Sequence, residues 1–212
     1  MRRYILGAAA ASLFVIAGAS LGQSLDELFK AADAGDAKTV ATFLNKGLDP
    51  NSTDKQGNTL LMIAAVQGHE ALAKLLIDRK ADVARRSPAG DSALMLASLK
   101  GRLAIVKLLV EHRAPISYSG WAPLHYAAFE GHAEVVKYLL EKGADKDAIA
   151  PNGYSALLLA MRNGHMEAAR ELLYADADVN IKGARGETAL SLALGRKDKE
   201  LEELIRRAGA VE

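Results

Sequence analysis

Few side chains in this 212-residue chain could do covalent chemistry, because it has no cysteine and only five histidines. Gly90-Asp91-Ser92 and Gly153-Tyr154-Ser155 look like the leading half of a nucleophile elbow, the turn that lifts a serine hydroxyl toward a substrate. Neither has the second glycine that the elbow needs, and both serines stand just before an apolar stretch, where a helix takes its N-cap. Asp176-Ala177-Asp178-Val179-Asn180, with Glu187 at the twelfth position, has the oxygen spacing of a calcium loop. Its sixth position is Ile181, where that loop needs glycine for a sharp turn, and Asp-x-Asn recurs in Asp49-Pro50-Asn51 as a turn former. His69, His132 and His165 each follow a glycine at a repeating interval, so they cannot converge on one metal ion; His112 has no place in the pattern. The absence of cysteine removes thiolate zinc sites, thiol nucleophiles, disulfides and a lipidated N-terminal cysteine, and no phosphate-binding or H-E-x-x-H motif is present. These groups have structural uses, so the chain is read as non-enzymatic, with no cofactor and no metal.

What positions them is a repeat. Turn glycines recur at Gly57, Gly90, Gly120, Gly153 and Gly186, and a second series runs Gly35, Gly68, Gly101, Gly131 and Gly164. Both keep a period of 33 residues with one step of 30, and Leu28, Leu61, Leu94, Leu124, Leu157 and Leu190 follow the same beat. Three locked series mark a solenoid. In each unit a glycine turn leads to a cap, as at Thr59, Ser92 and Ser155, or to Pro123 at the first helical position, where its missing N–H costs nothing. A short alanine-rich helix then ends at the second glycine. The next helix carries apolar pairs on one face: Ile105, Val106, Leu109 and Val110; Val135, Val136, Leu139 and Leu140; Ala168, Ala169, Leu172 and Leu173. With aromatics at 5% and hydrophobic residues at 50%, the core must come from close-packed aliphatic helices, so the fold class is all-α.

The unit Gly120-Trp121-Ala122-Pro123-Leu124-His125-Tyr126-Ala127-Ala128, through Gly131-His132, Val135-Val136, Leu139-Leu140 and Gly143-Ala144-Asp145, resembles the ankyrin repeat family. The resemblance spans residues 24–212 and implies an ankyrin-repeat solenoid of helix-turn-helix units with turn or hairpin fingers. Six units are expected, at 24–54, 55–87, 88–117, 118–150, 151–183 and 184–212. It also implies that the histidines hydrogen-bond backbone between neighbouring units. The first unit lacks the Gly-x-Thr-Pro-Leu opening; the last has Lys197 for the mid-repeat glycine, with Glu202 and Arg206 where inner units carry Ala169 and Leu173. Polar substitution of one face suits a terminal unit that no neighbour covers, so both ends are read as caps.

The function implied is binding of another protein on the concave ribbon formed by turn tips and first helices. The residues after the turn glycines are Asn58, Asp91, Trp121, Tyr154 and Glu187, and those before the mid-repeat glycines are Val66-Gln67, Leu99-Lys100, Phe129-Glu130 and Arg162-Asn163. The loop from Arg113 to Gly120 is three residues shorter than its counterparts, which predicts one short finger and a notch beside it. Trp121, Phe129, Leu99, Tyr118 and Tyr154 are expected to gather there, flanked by Lys100, Arg162 and Asp91, with Asn58 further along the ribbon. The plainer alternatives are a loop deletion without function and aromatics packed against an adjacent unit.

Residues 1–22 read as a secretory signal peptide: basic Arg2-Arg3, an apolar run from Ile5, then small residues permitting cleavage after Ala19 or Gly22. The route, general or twin-arginine, stays open. Ser24-Leu25-Asp26-Glu27 beyond it is expected to open a helix as a capping box. Cleavage leaves 25 bases against 26 acids in residues 23–212, too little net charge to favour nucleic acid or a membrane surface. The expected object is a periplasmic monomer that scaffolds, inhibits or assists an envelope or stress enzyme. The alternatives are a secreted, host-directed factor and a membrane-tethered spacer that keeps its N-terminal segment.

Overall fold

A computed structural model describes residues 18–196 and 198–211, with side chains from residue 24 onward; most of the segment assigned to export lies outside the described residues. The described chain is helical: α1 (Gly18–Asp33), α2 (Ala37–Asn45), α3 (Leu60–Gln67), α4 (Glu70–Asp78), α5 (Ala93–Leu99), α6 (Leu103–Glu111), α7 (Pro123–Glu130), α8 (Ala133–Glu141), α9 (Ala156–Asn163), α10 (Met166–Tyr174), α11 (Ala189–Arg196) and α12 (Lys199–Arg207). Odd-numbered helices stack in one layer and even-numbered helices in a second. One continuous core runs between the layers from Leu28 to Ile205. Most of the apolar pairs sit where the periodicity places them, with Ile105, Val106, Leu109, Val135, Val136, Leu139, Ala168, Ala169 and Leu172 all within 1% of complete burial, while Val110 and Leu140 at the ends of their helices are only partly buried.

The caps follow the chemistry of each unit. Thr59 Oγ1 accepts the Met62 N–H at 3.2 Å, Ser92 Oγ that of Met95 at 3.3 Å and Ser155 Oγ that of Leu158 at 3.4 Å. In four units the residue three positions on accepts the cap residue's own N–H, through three kinds of atom. Met62 Sδ and Met95 Sδ accept at 3.4 Å, His125 Nδ1 at 3.0 Å and Ser191 Oγ at 2.9 Å. A thioether thus does the work of an imidazole in the second and third units. One expected cap is corrected: α1 already begins at Gly18, so Ser24 lies inside the helix and does not open it.

Adjacent units are tied by side chains that reach neighbouring backbone at a constant offset. Asn51 Oδ1 accepts Asp82 N–H at 2.7 Å, Asp147 Oδ1 accepts Asp178 N–H at 2.7 Å and Asn180 Oδ1 accepts Val211 N–H at 2.9 Å. The oxygens of the calcium-like spacing therefore serve the turns. Asp178 accepts the Asn180 N–H, and Glu187 accepts the Tyr154 hydroxyl and the Arg185 N–H.

On α12, Leu201 and Ile205 are buried while Glu202 and Arg206 face outward and pair at 3.0 Å, the polar face of an end unit. α11 is less complete. Its Leu194 is 48% exposed, whereas Ala65, Ser98, Ala128 and Met161 in the same register are fully buried by the unit that follows.

Candidate functional site

The two serines of the elbow-like triplets are 0% and 1% exposed and occupied as helix caps, which leaves them no access to a substrate. His69 Nε2 lies 2.8 Å from the Asp33 carbonyl and His132 Nε2 3.0 Å from that of Leu99, each crossing to the preceding unit. His112 turns back to Leu108 O of its own helix.

His125 is 1% exposed, and both ring nitrogens are used: Nδ1 accepts the Ala122 N–H, so Nε2 donates to the Ala148 carbonyl at 2.9 Å. The ring is held neutral. Burial pushes its pKa below the ordinary value and prevails over the opposing Ala148 bond and Asp145 charge. The unfolded chain, titrating near the free value, takes up a proton that the folded one refuses. Stability is therefore full above about pH 6.5 and falls as the pH drops below it. Melting measured at pH 7.5 and pH 5 should show this loss in the parent and a smaller loss in His125→Leu, which is less stable at the higher pH.

The fingers form the second surface. Antiparallel bridges pair Thr53 with Thr59, Arg86 with Ser92 and Ile149 with Ser155; among the described residues none spans the loop before Gly120. The shortened loop is thus a shortened finger. A Cβ at Gly57 would meet Pro88 of the next finger, one at Gly120 lies near Pro151 and one at Gly153 near Ala184, whereas one at Gly90 meets only Arg86 of its own finger. Arg86 occupies the gap, its Nε donating to the Gly90 carbonyl and its guanidinium 5.0 Å above the Tyr118 ring. The Tyr118 hydroxyl is buried without a hydrogen-bond partner, beside a cavity of about 40 Å³ behind the finger.

The expected aromatic cluster is not assembled at this notch. Trp121 is half-buried and packs on Tyr126 and His125, with centroids 5.4 and 5.9 Å apart. Tyr154 is corrected from anchor to core: it is 4% exposed, its hydroxyl donates to Glu187 Oε1 at 2.7 Å, and the Arg162 guanidinium lies 4.9 Å over its ring. The Glu187 bond raises the Tyr154 pKa and lowers that of Glu187. Asp91 is held by the Tyr126 hydroxyl at 2.5 Å, and Asn58 donates to Asp54 at 3.1 Å. Phe129 is 40% exposed, Leu99 half-buried, and Lys100 and Arg162 exposed.

The structure instead draws an apolar ribbon along the first-layer helices: Ile63 and Val66 on α3, Leu96 and Leu99 on α5, Tyr126 and Phe129 on α7, all at least partly exposed. Ile63, Leu96 and Tyr126 are not singled out from sequence, whereas Val66, Leu99 and Phe129 are read as ribbon residues from their place before the mid-repeat glycines. The signal for the first three was available, since each lies three residues from its partner and so on the same side of its helix. Asn58 touches the N-terminal end of this ribbon, where a groove of about 300 Å³ opens.

The family description "Ankyrin repeats (3 copies)" matches residues 28–119 and 81–150, and "Ankyrin repeat" matches residues 152–184. "Ankyrin repeat and SAM domain-containing protein 6" of Mus musculus is 35% identical over 129 residues, 59% of this chain and 11% of that protein. "Tyrosine-protein kinase HTK16" of Hydra vulgaris is 31% identical over 111 residues, 52% of this chain and 11% of that protein. The chain thus spans about a tenth of the length of these curated relatives. Among solved structures, an ankyrin repeat domain from Acinetobacter baumannii is 30% identical with a TM-score of 0.80, covering 87% of this chain and 98% of that one. The ankyrin repeat domain of human ASB11 is 27% identical with a TM-score of 0.78, covering 87% and 84%. With the repeat matched over most of its length and the stacked helix pairs in place, the chain belongs to the ankyrin repeat family.

Proposed function

We propose that this chain is a non-enzymatic protein-binding module, exported by its N-terminal segment to the periplasm, that scaffolds, inhibits or assists another protein there. Ankyrin repeats imply a protein partner, and the observation that supports where it docks is the ribbon from Ile63 to Phe129. Six partly exposed apolar side chains lie in two files on helices fixed by a common core, so a partner orders them at little entropic cost. Export rests on Arg2-Arg3, the apolar run and the small residues to Gly22. Among the described residues no helix is long and apolar enough to cross a membrane.

The test uses the protein as bait in envelope extract, with a Leu99→Asp, Phe129→Ala variant as control. A discrete partner captured by the parent and lost by the variant, with melting unchanged, is the expected result; truncating one anchor should cost about 2 kcal/mol in affinity. Equal capture by both overturns the ribbon. Export is measured separately by fusing residues 1–30 to a reporter active only outside the cytoplasm. The fusion should be active, and charged replacements of Leu13, Phe14 and Val15 should silence it.

A further inference from the structure

The groove at the N-terminal end of the ribbon has a chemical character that the rest lacks. Ile63, Val66 and Leu96 form its exposed apolar surface, with buried Met62 beneath and the Asp33 carboxylate on its wall. It stays open for two reasons. Asn58 is small where later fingers carry Trp121 and Tyr154, and the row that holds Ile63 and Leu96 holds Tyr126 in the next unit, with the Trp121 ring tilted against it. A volume of about 300 Å³ admits a large apolar side chain.

Among the described residues Asp33 is the one charged side chain that lines the groove; Arg102 reaches its edge only through Nε, which donates to the Val66 carbonyl at 3.4 Å. Asp33 is exposed at the end of α1, and its Oδ1 accepts Gln67 Nε2 at 2.6 Å, which fixes the carboxylate beside the groove. No lysine, arginine or histidine among the described residues forms an ion pair with it, although Lys30 stands one turn earlier on the same helix. An oriented carboxylate without a cation, bordering an apolar opening, is complementary to a cation carried next to an apolar side chain.

We propose that this groove receives, from the partner protein, an apolar side chain that stands within one or two residues of a lysine or arginine, the side chain seating on Ile63, Val66 and Leu96 and the cation meeting Asp33. The proposal rests on the partner-binding reading above and specifies its chemistry.

The test selects phage-displayed random dodecapeptides on the protein and measures the enriched peptides by fluorescence anisotropy. Enrichment of Leu, Ile, Met or Phe beside Lys or Arg is expected. Asp33→Lys should weaken those peptides on the order of tenfold in low salt, and selection on that variant should turn toward acidic neighbours. Asp33→Asn keeps an acceptor for Gln67, so it controls for local structure, and it should also weaken binding, by less. Ile63→Ala should weaken binding on the order of 30-fold; because Ile63 also packs on the core, Val66→Ala, which should weaken binding on the order of tenfold, separates the loss of contact from the loss of stability. Enriched peptides lacking a basic neighbour, or affinities indifferent to Asp33→Lys, overturn the proposal. So does a groove filled by a second copy, seen as a dimer in sedimentation. If no peptide is enriched while the envelope partner is still captured through Leu99 and Phe129, this inference falls and the partner-binding reading stands.

Discussion

A chain ending at residue 183 is expected to lose about 5 kcal/mol of stability and to self-associate. α11 packs on α9, and α12 packs on α10. Met161 and Leu172, both fully buried, lie against the unit that follows them, whereas Leu194, covered by no described unit, is 48% exposed. Uncovering two large apolar side chains and the small residues around them costs about 1.5 to 3 kcal/mol for each large one. For a chain of this size that lowers the melting temperature by on the order of 10 to 20 °C. Calorimetry with light scattering measures both effects. A monomeric truncation with the parent's melting point would remove the assignment of residues 184–212 as a cap. Leu194→Glu is the matched control: its side chain is already 48% exposed, so the change should leave melting nearly unaltered.

Backbone features of this chain are legible in its sequence, and much of its side-chain surface is not. The period, the helix pairs, the caps at Thr59, Ser92 and Ser155, and the short finger before Gly120 all depend on backbone conformation. Backbone conformation is written locally, in glycines that reach positive φ and in serines and prolines at helix starts. The side-chain surface depends on direction and reach. Trp121 and Tyr154 occupy the same place after a turn glycine. Tyr154 lies inward to meet Glu187 one finger on, whereas Trp121, in the unit with the short finger, packs on Tyr126 of α7. No spacing rule carries that difference, because it comes from what the neighbouring unit offers. Ser24 failed for another reason: a capping-box pattern marks a helix start only if the chain before it is not already helical, and α1 is helical from Gly18.

The mid-repeat glycines give the second large prediction, since two demands coincide at them. Gly101 adopts φ of +64°, and a Cβ placed there would lie 2.5 Å from His132 Nδ1. Left-handed backbone costs an alanine about 1 kcal/mol or more over glycine. The clash must also displace the His132 ring, which gives up its bond to the Leu99 carbonyl, worth on the order of 1 kcal/mol, together with its packing. Gly101→Ala should therefore cost about 3 kcal/mol, the sum of strain, lost bond and lost packing. Gly143 separates the terms, because it has φ of +85° but nothing within 4 Å of a Cβ. Gly143→Ala should cost about 1 kcal/mol, the strain alone. In a His132→Ala background the Gly101→Ala penalty should fall to the Gly143→Ala value, giving a coupling of about 2 kcal/mol in a double-mutant cycle. Urea unfolding of the four Gly101 and His132 combinations measures it. Equal costs at Gly101 and Gly143, or no coupling to His132, would show that the glycine is there for its backbone alone and that the imidazole does not lock one unit to the next.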